Sequence, residues 1–191
     1  MNNLDAAGYL KVENLIDQAT ITTMSQYFEN KINRGEWVGK AEVVAGDASK
    51  LGYYADPLIE VLLKQCQPAI EQHTGLLLEP TYSFSRVYQG GEELKPHTDR
   101  PSCEISVTIN VACTGDIWPI WMQYANNDPA KCMLNPGDAV IYKGCEATHW
   151  RRKLPKGKIN VQFMLHYVAK NGPYAEYKFD KRAALGLPTV N

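Results

Sequence analysis

The chain has 191 residues, 45% of them hydrophobic and 21% charged, which is an ordinary composition for a globular protein. This length is enough for one core of useful size, so we expect a single domain over residues 1–191. The formal net charge of −1 argues against nucleic acid or an anionic membrane as a partner. No apolar run is long enough to predict a membrane span.

The cysteines indicate a reducing environment. Their number is odd and none forms a Cys-x-x-Cys pair, which argues against a disulfide framework and against a zinc ribbon. They are Cys66, Cys103, Cys113, Cys132 and Cys145. The first residues, 1–5, lack the basic and apolar regions of a signal peptide. We therefore expect a cytoplasmic protein.

The N-terminal part, about residues 1–79, is predicted to be a helical support. Alternation over residues 8–15 predicts a strand, and Asp17 is a suitable N-cap for a helix over 18–32. Residues 37–50 show no strong period and predict a loop with a short strand.

A second helix is predicted from Pro57 to about His73, because Asp56 is a good N-cap and proline suits the first helical position. Pro68 should bend or break this helix. Its expected buried stripe consists of Leu58, Val61, Leu62 and Ile70.

After Pro80 the hydrophobic period changes to two, which predicts a rolled antiparallel sheet over about residues 80–168. Further along this region, strands are expected within 82–88, 104–111, 116–124, 139–142 and 158–168, followed by a surface tail over about 169–191. Residues 82–88 place Tyr82, Phe84, Arg86 and Tyr88 on one strand face.

The strand at residues 104–111 has an apolar face and a polar face, and the polar face carries Ser106, Thr108 and Asn110. One interpretation puts the polar face in water. The other covers the apolar face with the N-terminal helices, so that the polar face lines a wet interior that holds a ligand. Trp118 and Trp121 likewise either wall a substrate pocket or belong to the core.

Three residues could bind a metal ion. His97 and Asp99 form a His-x-Asp pair, and alternation along a strand would place both side chains on one face. A folded-back sheet could bring His149 beside them, completing a set of two histidines and one carboxylate that leaves coordination positions open. Zinc could bind the same ligands. His73 and His166 are expected to be structural.

Positive charge follows the second histidine. Five cations lie within residues 151–158, which predicts a solvated loop or a surface that steers anions inward. Lys158 stands nine residues beyond His149 on a predicted strand, where it could bind a dianionic cosubstrate.

Taken together, the order and spacing of these residues resemble the Fe(II)/2-oxoglutarate-dependent dioxygenases, and within them the prolyl 4-hydroxylase-like group. The matching positions are Tyr88, Gly90, Gly91, His97, Asp99, His149 and Lys158. The resemblance covers about residues 80–168. It implies a mainly β fold with flanking α-helices, a double-stranded β-helix (jelly-roll, cupin-like) core with the N-terminal helices packed on one sheet.

The resemblance also implies an activity. It predicts hydroxylation of an unactivated C–H bond in a prolyl, other amino-acid, peptide or small-molecule substrate, with O₂ and 2-oxoglutarate consumed and succinate and CO₂ released. Ascorbate is a candidate reductant. Because Asp99 is present, hydroxylation is favoured over halogenation. The alternative is a non-catalytic or zinc-dependent cupin-like metal-binding protein.

Residue roles follow from the same resemblance. His97, Asp99 and His149 would hold Fe(II). Lys158 and Tyr88 would bind the distal carboxylate of 2-oxoglutarate. Asn160 and Thr108 would complete that pocket, whereas the expected substrate-binding residues are Arg86, Arg100 and Trp118.

Overall fold

The computed structural model describes residues 3–35 and 51–187. The loop and short strand predicted within 37–50 lie outside the described residues. The helices are α1 (Asn3–Ala7), α2 (Gln18–Asn33) and α3 (Pro57–Thr74). The strands are β1 (Tyr9–Val12), β2 (Leu51–Tyr54), β3 (Leu78–Gln89), β4 (Leu94–His97), β5 (Ile105–Cys113), β6 (Ile120–Gln123), β7 (Ala130–Cys132), β8 (Ala139–Lys143), β9 (Thr148–Arg151) and β10 (Ile159–Ala169).

The strands form two antiparallel sheets. The larger has the order β1-β8-β5-β10-β3-β2 and the smaller has the order β4-β9-β6-β7. From β3 to β10 the chain passes back and forth between the two sheets, which is the winding of a double-stranded β-helix. The predicted fold class is therefore confirmed. In the described part of the chain, no helix is long and apolar enough to cross a bilayer.

The helices cover the outer face of the larger sheet. Ile105, Val107, Ile109 and Val111 of β5 are buried in one cluster with apolar side chains of α2 and α3. The ring of Phe28 in α2, for example, lies 5.1 Å from that of Phe163 in β10. Each such side chain contributes about 1.5–3 kcal/mol when it is fully buried.

The polar face of β5 consequently points into the space between the sheets. Ser106, Thr108 and Asn110 are all buried, which confirms the interpretation that gave this face an interior role and contradicts the one that placed it in water.

The local predictions for the helices are mostly confirmed. Asp17 accepts a hydrogen bond from the backbone of Thr20 at the start of α2, and Asp56 caps α3 through the backbone N–H groups of Leu58 and Ile59. The strand predicted over residues 8–15 is shorter, and α1 precedes it.

Two details of α3 differ from expectation. The helix continues through Pro68, and Val61 is 50% exposed rather than part of the buried stripe. The buried positions include Ile59, Leu63 and Ile70, which pack under the larger sheet. This tertiary packing on both sides of Pro68 offsets the backbone hydrogen bond that proline cannot donate.

The C-terminal segment is anchored by a buried charge and is more than a surface tail. Arg182 donates to Glu60 of α3 and to the carbonyl oxygen of Thr81 at 3.0 Å. Both charged side chains are buried. The backbone N–H of Gly186 also donates to Glu60, so the segment is fixed against α3 and the start of β3.

Candidate active site

His97, Asp99 and His149 meet at one end of the space between the sheets. One ligand atom from each residue lies within 4.8 Å of the others. Nε2 of His97 is 3.6 Å and Nε2 of His149 is 3.5 Å from Oδ1 of Asp99. The two histidines are direct partners in the β4–β9 ladder. The structure thus brings together the three residues predicted to bind a metal.

Both histidines are oriented by the backbone. Nδ1 of His97 lies 2.9 Å from the carbonyl oxygen of Lys95, and Nδ1 of His149 lies 3.0 Å from that of Ala147. In each case a protonated Nδ1 donates to the carbonyl, and the lone pair of Nε2 is left free to coordinate a metal. Burial lowers the pKa of His149, which favours the neutral ligand form.

Asp99 reaches the site by a route that strand alternation did not predict. Strand β4 ends at His97, and Asp99 follows in a loop whose backbone N–H donates to the carbonyl oxygen of Gly144 at 2.7 Å. A Cβ atom at Gly144 would lie 2.1 Å from the carbonyl oxygen of Cys103 and 2.8 Å from Oδ2 of Asp99. Glycine is therefore required at position 144 for the loop to approach this closely.

A hydroxyl group orients the Asp99 carboxylate. Oγ of Ser106 donates to Oδ2 of Asp99 at 2.8 Å and also lies 2.9 Å from Nδ1 of His166. Burial lowers the pKa of His166 to about 4, so its ring is neutral at pH 7 and can donate to the serine oxygen. His166 was expected to be structural, and the structure places it two hydrogen bonds behind a candidate ligand, with Ser106 between them.

A second group of potential ligands is formed by Asp99, Cys103 and His166, whose ligand atoms also lie within 4.8 Å of one another. Burial raises the pKa of the Cys103 thiol to about 12. Because the thiolate is the form that binds metals, this group is the weaker candidate.

A cavity of about 150 Å³ opens beside the three candidate ligands. Its wall includes the predicted face of β3, namely Tyr82, Phe84, Arg86 and Tyr88, together with Thr108, Gln162 and His166. A cavity of this size can hold a molecule about as large as benzene. It therefore has room for one small ligand beside the metal.

Lys158 is not part of this cavity, contrary to prediction. Its ammonium group packs against Gly115, and its side chain lines a separate surface depression with Trp118 and Arg152. The reason is local: β10 begins only at Ile159, and Lys158 belongs to the preceding turn, where its N–H bonds to the carbonyl of Pro155.

The first inward-facing position of β10 is occupied by Asn160. It is buried, pairs with Tyr88 in the ladder, and donates to the side chain of Asn110 at 3.1 Å. Asn160 and Thr108, the two residues predicted to complete the cosubstrate pocket, both lie between the sheets, but only Thr108 lines the cavity.

Two predicted substrate residues have other contacts. Arg100 forms two hydrogen bonds with the carboxylate of Asp180, at 2.8 and 2.7 Å, and does not line the cavity. Trp118 is buried, packs edge-on against Tyr88 at 4.9 Å, and donates to the carbonyl oxygen of Arg152. Trp118 therefore belongs to the core, which was the second of the two interpretations of this residue, rather than to the wall of the cavity.

Arg86 does line the cavity, and a second arginine, which the sequence placed only in the basic run over residues 151–158, lies close to it. Arg151 follows His149 by two positions on β9, so both side chains point inward. Both arginines are buried, but Arg151 lies behind Tyr88 and Trp118 and does not itself line the cavity. The expectation of a solvated basic loop is therefore wrong for Arg151. The signal that could have revealed its inward direction is the two-residue spacing from His149, because such residues share one strand face.

The donor set fits a ferrous ion, because two neutral imidazoles and one carboxylate on one side leave the opposite positions open. The surroundings of the cavity also fit a small anionic chelator of that ion. Nε and Nη2 of Arg86 and of Arg151 are buried without hydrogen-bond partners among the described residues. Such groups are costly unless a ligand pairs with them.

Comparison with known proteins supports the fold. No family model matches the sequence, and no curated protein matches it. Among solved structures, a prolyl-4-hydroxylase of Pseudomonas putida has 16% identity and a TM-score of 0.68, with 87% of this chain and 95% of that chain covered.

Two further structures are similar. The non-heme alpha-ketoglutarate-dependent epimerase SnoN of nogalamycin biosynthesis has 10% identity and a TM-score of 0.73, with 98% and 90% of the two chains covered. An oxidoreductase of the 2OG-Fe(II) oxygenase family from Burkholderia pseudomallei has 13% identity and a TM-score of 0.66, with 89% and 88% covered. At these identities the likeness establishes architecture, and the chain has the double-stranded β-helix fold of these oxygenases.

Proposed function

We propose that the chain is an Fe(II)- and 2-oxoglutarate-dependent dioxygenase that hydroxylates an unactivated C–H bond. The observation that carries this proposal is the arrangement of His97, Asp99 and His149, whose ligand atoms converge beside a cavity while both histidine Nδ1 atoms are engaged by the backbone. Similar folds in solved oxygenases support the same reaction class.

The three candidate ligands would hold the metal from different sides of the site. His149 has a side chain only 3% exposed and forms the inner side of the site, whereas that of His97 is 40% exposed and lies at the mouth. Asp99 contributes one oxygen toward the histidines and is fixed through its other oxygen by Ser106. When bound, iron and 2-oxoglutarate would supply oxidative decarboxylation to succinate and CO₂ together with insertion of oxygen into the substrate C–H bond.

The size of the cavity supports a proposal for how substrate binds. Because its volume is about 150 Å³, 2-oxoglutarate would fill most of it, and the substrate would present only its reacting carbon at the mouth beside His97. Tyr82, Phe84 and Met164 line the same cavity and would exclude water from the reacting groups.

We further propose an amino-acid, peptide or other small-molecule substrate, with prolyl groups included, and a cytoplasmic location with ascorbate as the reductant that keeps iron ferrous. Support for a peptide or amino acid comes from similar folds that include prolyl hydroxylases, one of them in complex with a peptide fragment. All five cysteines are free, which supports a reducing compartment.

The experiment is a substrate screen. Protein with Fe(II), ascorbate, O₂ and 2-oxoglutarate is incubated with proline, prolyl peptides and free amino acids, and succinate is measured. We expect one class to stimulate succinate release, and His149→Ala to abolish the stimulation. Iron binding with no succinate above background for wild type would favour a non-catalytic or zinc-dependent protein.

A further inference from the structure

The space between the sheets holds more positive charge than its own carboxylates neutralise. Arg86 and Arg151 are both buried there. The acid near Arg86 is Glu92, whose carboxylate is 3.8 Å from Nη2, beyond hydrogen-bond distance. Among the ion pairs of residues 3–35 and 51–187, none includes Arg151. Two guanidinium groups therefore face one weakly paired carboxylate.

The two arginines flank one tyrosine. The guanidinium of Arg86 stacks over the ring of Tyr88 at 3.9 Å, and that of Arg151 lies 4.8 Å from the ring of Trp118, which itself packs against Tyr88. Burial raises the pKa of Tyr88, and the charges of both arginines act against that rise. Arg86 thus contacts Tyr88 directly, and Arg151 is linked to Tyr88 through the ring of Trp118.

Their hydrogen-bonding capacity is largely unused. Arg151 donates through Nη1 to the carbonyl oxygen of Trp118. Within residues 3–35 and 51–187, Nε and Nη2 of Arg151 and of Arg86 have no hydrogen-bond partner. An arginine side chain stays protonated at neutral pH even when it is buried. An unpaired buried cation costs several kcal/mol, and an anionic ligand would offset that cost.

The distance from the metal site suits a dicarboxylate. Arg151 lies two residues along β9 from His149, or about 6.8 Å at antiparallel-strand spacing. This is about the reach of a five-carbon diacid that chelates the metal at one end. Lys158 cannot take this position, because it packs outside against Gly115 and the first inward position of β10 is Asn160.

We propose that Arg86 and Arg151, with Tyr88 between them, bind the distal carboxylate of 2-oxoglutarate in this chain in place of Lys158. One carboxylate would bring the local charge of two arginines and Glu92 to zero. Guanidinium groups also offer paired donors that match carboxylate geometry, which an ammonium group does not. This inference rests on the proposed function and assigns residues of the same site.

The test is ligand binding without turnover. Protein loaded with Mn(II) is titrated calorimetrically with 2-oxoglutarate and with 2-oxopentanoate, which lacks the distal carboxylate. We expect Arg86→Met and Arg151→Met each to weaken 2-oxoglutarate binding by about 10- to 100-fold, the loss of a hydrogen bond to a charged group. Binding of 2-oxopentanoate should change little, and Lys158→Met should leave both affinities unchanged.

Stability provides a second readout. If the arginines served only the fold, their replacement by methionine would lower the denaturant midpoint of the ligand-free protein. If instead the arginines serve to bind an anionic ligand, replacing one of them removes an unpaired buried charge from the ligand-free protein. The denaturant midpoint should then stay unchanged or rise. A lowered midpoint with unchanged 2-oxoglutarate affinity would overturn the inference, as would loss of binding in Lys158→Met alone.

The two proposals fail differently. Should metal-loaded wild type bind neither 2-oxo acid, the proposed function itself is wrong. Should wild type bind 2-oxoglutarate and both arginine variants bind it equally well, only the residue assignment is wrong.

Discussion

Removal of the Ser106 hydroxyl group should weaken metal binding, because this hydroxyl fixes the carboxylate of Asp99. Its oxygen donates to Oδ2 of Asp99 at 2.8 Å and accepts from Nδ1 of His166 at 2.9 Å. Ser106 is fully buried, so solvent water cannot replace the lost donor. A hydrogen bond to a charged group contributes about 1.5–3 kcal/mol, and partners behind metal ligands are typically worth about 10- to 100-fold in metal affinity.

The assay is anaerobic calorimetric titration of Fe(II) into wild type and Ser106→Ala, for which we expect an affinity about 10- to 100-fold lower. Ser83→Ala is the matched control. Ser83 is equally buried in the larger sheet, but its hydroxyl has no hydrogen-bond partner among the described residues. Its loss should not change iron affinity. Equal affinities for Ser106→Ala and wild type would refute the role of this hydroxyl.

Three further predictions concern Gly144, the buried pair of Arg182 with Glu60, and His166. Gly144→Ala should lower iron affinity at least about 10-fold, because the new methyl group would lie 2.8 Å from Oδ2 of Asp99; unchanged titrations would contradict this. Arg182→Met should cost about 3–5 kcal/mol in denaturant unfolding, since Glu60 is left buried and unpaired, and adding Glu60→Leu should recover most of the loss. In metal-free protein, the free energy of unfolding should fall by up to about 3 kcal/mol as pH falls from 6.5 towards 4, because the pKa of buried His166 is depressed to about 4 and the folded state resists its protonation. His166→Asn should remove this part of the pH dependence; a variant with the same pH profile as wild type would contradict the assignment.

The fold and the meeting of the two candidate histidine ligands were largely predictable because they depend on strand patterns, whereas Asp99 reaches the site through a loop. The two-residue period after Pro80 predicted the sheet, and the opposite faces of β5 predicted a helix-covered side and an interior side. His97 and His149 were predicted to meet, and they are direct ladder partners. Such patterns are local to each strand, so they can be recognised in the sequence without knowing which distant residues are in contact.

The wrong predictions for Lys158 and Arg151 concern residues at strand ends, where a single turn determines the direction of the side chain. Lys158 would face inward if β10 began one residue earlier, but the turn before Ile159 places it outside. Arg151 looked like one cation of a solvated loop because the end of β9 cannot be located from sequence alone.

Long-range ion pairs were also beyond prediction. Arg100 is paired with Asp180, eighty positions further along the chain, and Arg182 is paired with Glu60 in α3. No periodicity in the sequence relates such residues, since their proximity results from how the C-terminal segment crosses the larger sheet.

The measurement that tests the central claim most directly is the visible absorption spectrum of the protein with Fe(II) and 2-oxoglutarate under anaerobic conditions. If His97, Asp99 and His149 hold iron with open positions for a chelating 2-oxo acid, a charge-transfer band should appear on addition of 2-oxoglutarate and be absent in His149→Ala. Iron bound with wild-type affinity but without any such band would contradict the account.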